Sequence, residues 1–152
     1  MLQDPVKSVL VPLLPEEALT ATAAEVSFEP LPFASGSGWT GTDSCVARSA
    51  GGEVALGPIL ERLPSLPDPS SIDYSRAYAA MIGGDHADAG ARFAALALAQ
   101  GPVVPSLYGL ALALEELGAH EEAETLAAFV ADLPDYSDPR AAALAGYAAF
   151  QR

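Results

Sequence analysis

From residue 73 to the end of the chain, apolar positions recur at helical spacing and are interrupted at Gly83-Gly84-Asp85, Gly101-Pro102, Gly118 and Leu133-Pro134. This rhythm predicts helices over about 71–82, 86–99, 105–117 and 121–132, with a fifth running from Pro139 to the end.

The rhythm also repeats. Gly84-Asp85-His86-Ala87-Asp88-Ala89 lies 34 residues before Gly118-Ala119-His120-Glu121-Glu122-Ala123, and Tyr74 lies 34 before Tyr108. Ala77, Ala111 and Ala145 carry the same register three times. Small residues there, and at Ala89 and Ala123, suit helices that approach closely, while Phe93, Leu96, Leu126 and Val130 fill the space behind them. Stacked helical hairpins are the expected arrangement.

Residues 1–72 follow a different grammar. They hold nine of the thirteen prolines, whereas 73–152 hold four prolines and 23 alanines, so long regular helices belong to the second half. The boundary is expected near Leu66-Pro67-Asp68-Pro69-Ser70-Ser71. It separates a Pro/Gly-rich, largely irregular N-terminal segment, 1–69, from a helical repeat domain, 70–152.

Within that first segment, Pro15-Glu16-Glu17-Ala18-Leu19 reads as a helix start, with Pro at the first position and acids at the positive end of the dipole, running toward Glu25. Val26–Phe33 alternates but carries Pro30 and Pro32, so an edge strand is the most it supports. Ser35–Gly41 reads as a flexible loop. Ser44–Arg48 and Glu53–Leu56 are spaced to pair as a hairpin, and Pro58–Leu63 to make a turn or two of helix.

Composition sharpens the picture. Alanine supplies 31 of the 152 residues, which favours helix over sheet, and the length fits one core. The net charge of −13 repels nucleic-acid phosphates and anionic lipid, and favours solubility or a basic partner. Cys45 is the one cysteine, which excludes an intramolecular disulfide, a cysteine zinc cage and a Cys-x-x-Cys pair, and makes a reducing cytoplasm the expected compartment. Met1–Leu14 lacks the basic start and long apolar run of a signal peptide, and no stretch approaches a membrane span.

The repeat resembles the tetratricopeptide repeat, a 34-residue helix-turn-helix unit. With Ser70 as first position, Ala77 and Ala111 fall at the eighth, Gly84 and Gly118 at the turn, Ala89 and Ala123 at the twentieth and Phe93 at the twenty-fourth. Ala127 departs from the pattern, as does Arg76 at the seventh position, and no Trp stands at the fourth. The resemblance covers about 80 residues. It implies an all-α solenoid of about two and a half repeats that binds partners on its concave face and does no chemistry itself.

The resemblance places Tyr74, Tyr78, Met81, Ile82, Tyr108, Leu112, Glu115, Glu116, Gly146, Ala149 and Phe150 on that inner face. Tyr74, Tyr78, Met81, Tyr108, Leu112 and Phe150 are the expected partner-binding residues. Aromatic faces offer contact area and a tyrosine hydroxyl bonds a peptide backbone, so the expected partner is a protein or peptide with an extended apolar segment. A carboxylate clamp is not expected, since no lysine follows Lys7 and Arg76 and Arg140 fall elsewhere. In size, acidity and groove character the chain is similar to the cytoplasmic chaperones of type III secretion systems.

Other chemistry finds little support. His86 and His120 recur through repeat geometry, which explains them without a metal or a pH switch. Gly36-Ser37-Gly38-Trp39-Thr40-Gly41 matches GxGxxG, but it lacks the clean strand before and helix after that a dinucleotide site requires. Cys45 has only Arg48 beside it in sequence. Glu115, Glu116, Glu121, Glu122 and Glu124 read as a solvated face or a site for a basic partner. Trp39 either packs on the repeats or is a presented anchor.

No cofactor, metal or catalytic residue is expected. Three functional readings follow. The leading one is a cytoplasmic chaperone or adaptor. The second is an assembly component whose N-terminal segment caps its own repeats, with a homodimer compatible with either. The third is an enzyme using the N-terminal half.

Overall fold

A computed structural model describes residues 10–20, 26–29, 45–67, 73–99, 102–133 and 139–151. The described residues are mostly helical, with one small sheet. In order the elements are α1 (Pro15–Thr20), β1 (Ser27–Glu29), β2 (Val46–Ser49), β3 (Gly52–Ala55), α2 (Gly57–Leu60), α3 (Tyr74–Ile82), α4 (His86–Leu98), α5 (Val103–Glu116), α6 (His120–Ala131) and α7 (Arg140–Gln151).

The all-α expectation is corrected by the sheet. β2 pairs antiparallel with β1 on one side and β3 on the other. Phe28, Ala47 and Val54 form one cross-strand row, and all three are buried, as period-two alternation requires. In the next row Arg48 faces outward between Glu29 at 3.5 Å and Glu53 at 3.2 Å. Ser49 pairs with Gly52 to close the hairpin, Gly52 takes a φ of 146°, and Ser49 Oγ accepts from the Gly51 amide at 3.2 Å. The Ser35–Gly41 loop and Trp39 lie outside the described residues.

The long helices stop where left-handed glycines allow it. Gly84 has a φ of 90° and Gly118 a φ of 85°. At the first, Asp85 N donates to Ala80 O and Gly84 N to Met81 O; at the second, Ala119 N donates to Leu114 O and Gly118 N to Glu115 O. The two ends are the same Schellman motif, 34 residues apart. Asp73 and Asp85 cap the helices that follow them, accepting from Ser75 N at 2.8 Å and Asp88 N at 3.3 Å. α5 starts two residues before the expected Pro105, because that proline sits in the first turn, where a backbone N–H has no acceptor within the helix.

Successive helices from α3 to α7 pack on one another, and α5 also touches α3 and α7. Ala77, Ala89, Ala111 and Ala123 are fully buried where these helices meet. Tyr74 stands edge-on to Phe93, ring centroids 5.5 Å apart. The N-terminal half joins the same core: Leu13, Ala18, Phe28, Cys45, Ala47, Val54, Leu56 and Ile59 belong to one cluster of buried residues with the helices. No helix among the described residues is long and apolar enough to cross a membrane.

Candidate functional site

The six residues expected to face a partner do not form one surface. Tyr108, fully buried, and Leu112 lie inside α5, which is buried from Val104 through Glu115. A helix apolar and buried on every side has cover over the face that would line a groove. Tyr74 and Met81 are buried, Tyr78 is half-buried against the core, and Phe150 is 84% exposed on α7.

An apolar segment outside helix and strand does lie on Tyr74, and it is the chain's own. Tyr74 donates its hydroxyl to the Leu13 carbonyl at 2.8 Å in a buried hydrogen bond. Pro12 and Leu13 are buried, and Leu10 packs on the core. From there the chain turns into α1, where Leu14 N donates to Glu17 Oε1 at 2.9 Å and Arg140 of α7 reaches Glu17 Oε2 at 3.3 Å. Residues 10–18 are thus a strap tied to α3 through Leu13 and to α7 through Glu17, two helices that both touch α5. No sequence signal singled out Leu13, because its partner lies 61 positions away.

The rest of the N-terminal half is seated by further long-range contacts. Arg62 binds Glu122 Oε1 through Nε at 2.9 Å and Nη2 at 2.7 Å. Leu63 Cδ2 stands 2.8 Å from where a Cβ on Gly90 would be, and the hairpin turn meets the end of α6, where a Cβ on Gly51 would be 2.5 Å from the Asp132 carbonyl oxygen.

The acid run divides. Glu116 and Glu121 are exposed and Glu122 and Glu124 half-buried, but Glu115 is buried, its side chain 7% exposed, with Oε2 2.8 Å from His120 Nδ1. The expectation of one solvated face is corrected there, since α5 turns Glu115 inward toward the start of α6. His86 Nε2 lies 3.9 Å from Glu116 Oε2. Among the described residues no group of three His, Cys, Asp or Glu side chains is placed to hold a metal ion.

Cys45 is buried beside the sheet, and burial pushes its thiol from 9.0 up to about 11. The thiol therefore stays protonated at neutral pH, the form that does not attack. Gly36–Gly41 lies outside the described residues. Compared with protein-family models, curated proteins and solved structures, the chain matches none.

Proposed function

We propose that this protein is a non-enzymatic interaction module built of tetratricopeptide-like helical hairpins, whose own N-terminal half caps the repeats and which acts as a component of an assembly. The observation that carries the reading is the buried hydrogen bond from Tyr74 to the Leu13 carbonyl. An apolar segment whose backbone is held by a tyrosine hydroxyl is the contact expected for a partner, and here the strap makes it. The repeat reading is supported by the matched helix ends at Gly84 and Gly118, the buried alanines and the contacts of α5 with α3 and α7.

A second reading, a chaperone or adaptor that holds another protein's segment, is favoured by the composition of the strap itself. Leu10-Val11-Pro12-Leu13-Leu14 has the apolar, extended character expected of such a client. In that reading a client takes the strap's place on Tyr74.

Leu13→Asp in the full chain separates the two. Placing a carboxylate among buried apolar groups costs several kcal/mol where the strap is part of the core, on the order of 3 kcal/mol. A cap loses that stability in urea unfolding. An unchanged midpoint, with new binding of an apolar peptide such as residues 10–14 themselves, overturns capping in favour of the client reading.

A further inference from the structure

Two polar contacts, four residues apart in the strap, tie it to α3 and α7. The Leu13 carbonyl accepts from the Tyr74 hydroxyl at 2.8 Å, and Glu17 Oε2 accepts from Arg140 Nη2 at 3.3 Å. Through Oε1 the same carboxylate accepts the Leu14 amide at 2.9 Å, while the Leu14 carbonyl takes the first helical bond, from Ala18 N. Glu17 therefore closes a capping box that fixes where the strap turns into α1, and with it the register between Leu13 and the carboxylate.

The two contacts differ in what they read. A hydroxyl on a carbonyl reads backbone, which every residue carries, whereas a guanidinium reads an acid. On a chain of net charge −13 an incoming acid needs a base beside it. Arg92 is held within α4 by Asp88 at 2.8 Å, while Arg140 faces the strap. The strap is also lightly seated: Pro12, Leu13 and Ala18 are buried, but Val11 is 45% and Leu14 42% exposed. Segments with few buried contacts open at lower cost than the whole fold.

We infer that Tyr74 and Arg140 are the two ends of one binding site, which the strap occupies in cis as an autoinhibitory segment. The partner it fits is a protein segment in which a buried apolar residue is followed four positions later by Asp or Glu. The occupant seen on the site sets this chemistry. A ligand without the acid replaces one of the two contacts, and a ligand with it replaces both. Attached in cis, the strap competes at an effective concentration on the order of 1 mM, so the closed chain hides the site from a dilute partner. The inference rests on the capping reading, in that Leu13 must sit on Tyr74; what it adds is the acid, Arg140 and their register.

The test uses the full chain and a fluorescein-labelled peptide of residues 10–20, with binding read by anisotropy and strap opening by amide exchange. Glu17→Arg sets a guanidinium against Arg140, and Arg140→Glu sets a carboxylate against Glu17. Each is expected to accelerate exchange in residues 10–18 more than in α5, and to raise peptide affinity at least about tenfold over wild type. The two open chains are expected to choose oppositely. The Glu17→Arg chain prefers the native peptide, and the Arg140→Glu chain prefers the peptide carrying Glu17→Arg, each by about tenfold. Where a reversal costs the helical circular dichroism signal, Glu17→Gln, which keeps an oxygen for the Leu14 amide, opens the strap with Arg140 in place. The native peptide is then expected to bind more tightly than its own Glu17→Gln form. Unchanged exchange in the strap overturns the inference, as do open chains that bind neither peptide or rank the two alike. A Leu13→Asp chain that keeps its urea midpoint refutes the capping reading, whereas destabilisation by Leu13→Asp with equal ranking of the peptides refutes this inference alone.

Discussion

The ring of Phe93 closes over Gly109 so tightly that a Cβ on Gly109 would stand 2.7 Å from Phe93 Cε1 and Cζ. Glycine is placed there by packing between α4 and α5, at the cost of helix propensity. Phe93 cannot retreat, because it is fully buried and braced edge-on by Tyr74. Gly109→Ala gains about 1 kcal/mol of propensity and loses about 1–3 kcal/mol to overpacking. A net loss on the order of 1 kcal/mol is expected in urea unfolding, and a variant more stable than wild type contradicts the packing.

Tyr74→Phe keeps the ring against Phe93 and removes the hydroxyl from the Leu13 carbonyl. A buried carbonyl without its donor costs about 1–3 kcal/mol. The same loss should loosen residues 10–18, so amide exchange in that segment is expected to accelerate more than in α5. Uniform acceleration throughout would place the strap inside the global unfolding unit.

Gly51→Ala sets a methyl group 2.5 Å from the Asp132 carbonyl, where backbone must yield. The expected penalty is about 1–3 kcal/mol, and Gly52→Ala, at a left-handed φ with open space around it, is strained for a different reason. Asp132→Gly removes the neighbouring side chain and leaves the carbonyl in place. It should not relieve Gly51→Ala.

The Cys45 thiol makes stability depend on pH in one direction. The unfolded thiol gives up its proton near 9.0, whereas the folded one holds it to about 11. Between those values the unfolded state has fewer protons than the folded state, so stability falls as pH rises, and below pH 9.0 the thiol contributes no slope. Wild type should lose more stability than Cys45→Ala from about pH 8 to about pH 10.5. Parallel losses in the two proteins would mean that the thiol is not shielded from water.

Reading the chain as a pattern located most helix ends to within three residues. Gly84 and Gly118 stop α3 and α5 because glycine adopts the left-handed conformation a Schellman turn needs, and that need is local. The hairpin around Ala50-Gly51 was legible for the same reason, as was the short helix after Gly57. The expected first helix is described as α1 through Thr20, its continuation toward Glu25 lies outside the described residues, and the first helix of the repeat begins at Tyr74, on its Asp73 cap.

What lies against Tyr74 was not legible. Tyr74, Tyr108 and Leu112 fall where an apolar face belongs, and periodicity cannot tell whether that face meets another protein or the chain's own strap. The contacts that decide it join positions far apart: Tyr74 to Leu13, Arg62 to Glu122 and Arg140 to Glu17, the last separated by 123 residues. Glu115 is a similar case, an acid in an acidic run that α5 turns inward against His120.

The sequence by itself determined the helices, their ends and their 34-residue rhythm, because φ preferences, caps and spacing along a helix act over a few residues. Only the tertiary structure decided that Leu13 lies on Tyr74, that the sheet sits against α6, and that Phe150 is left bare, because burial depends on which distant segment arrives to exclude water from each face.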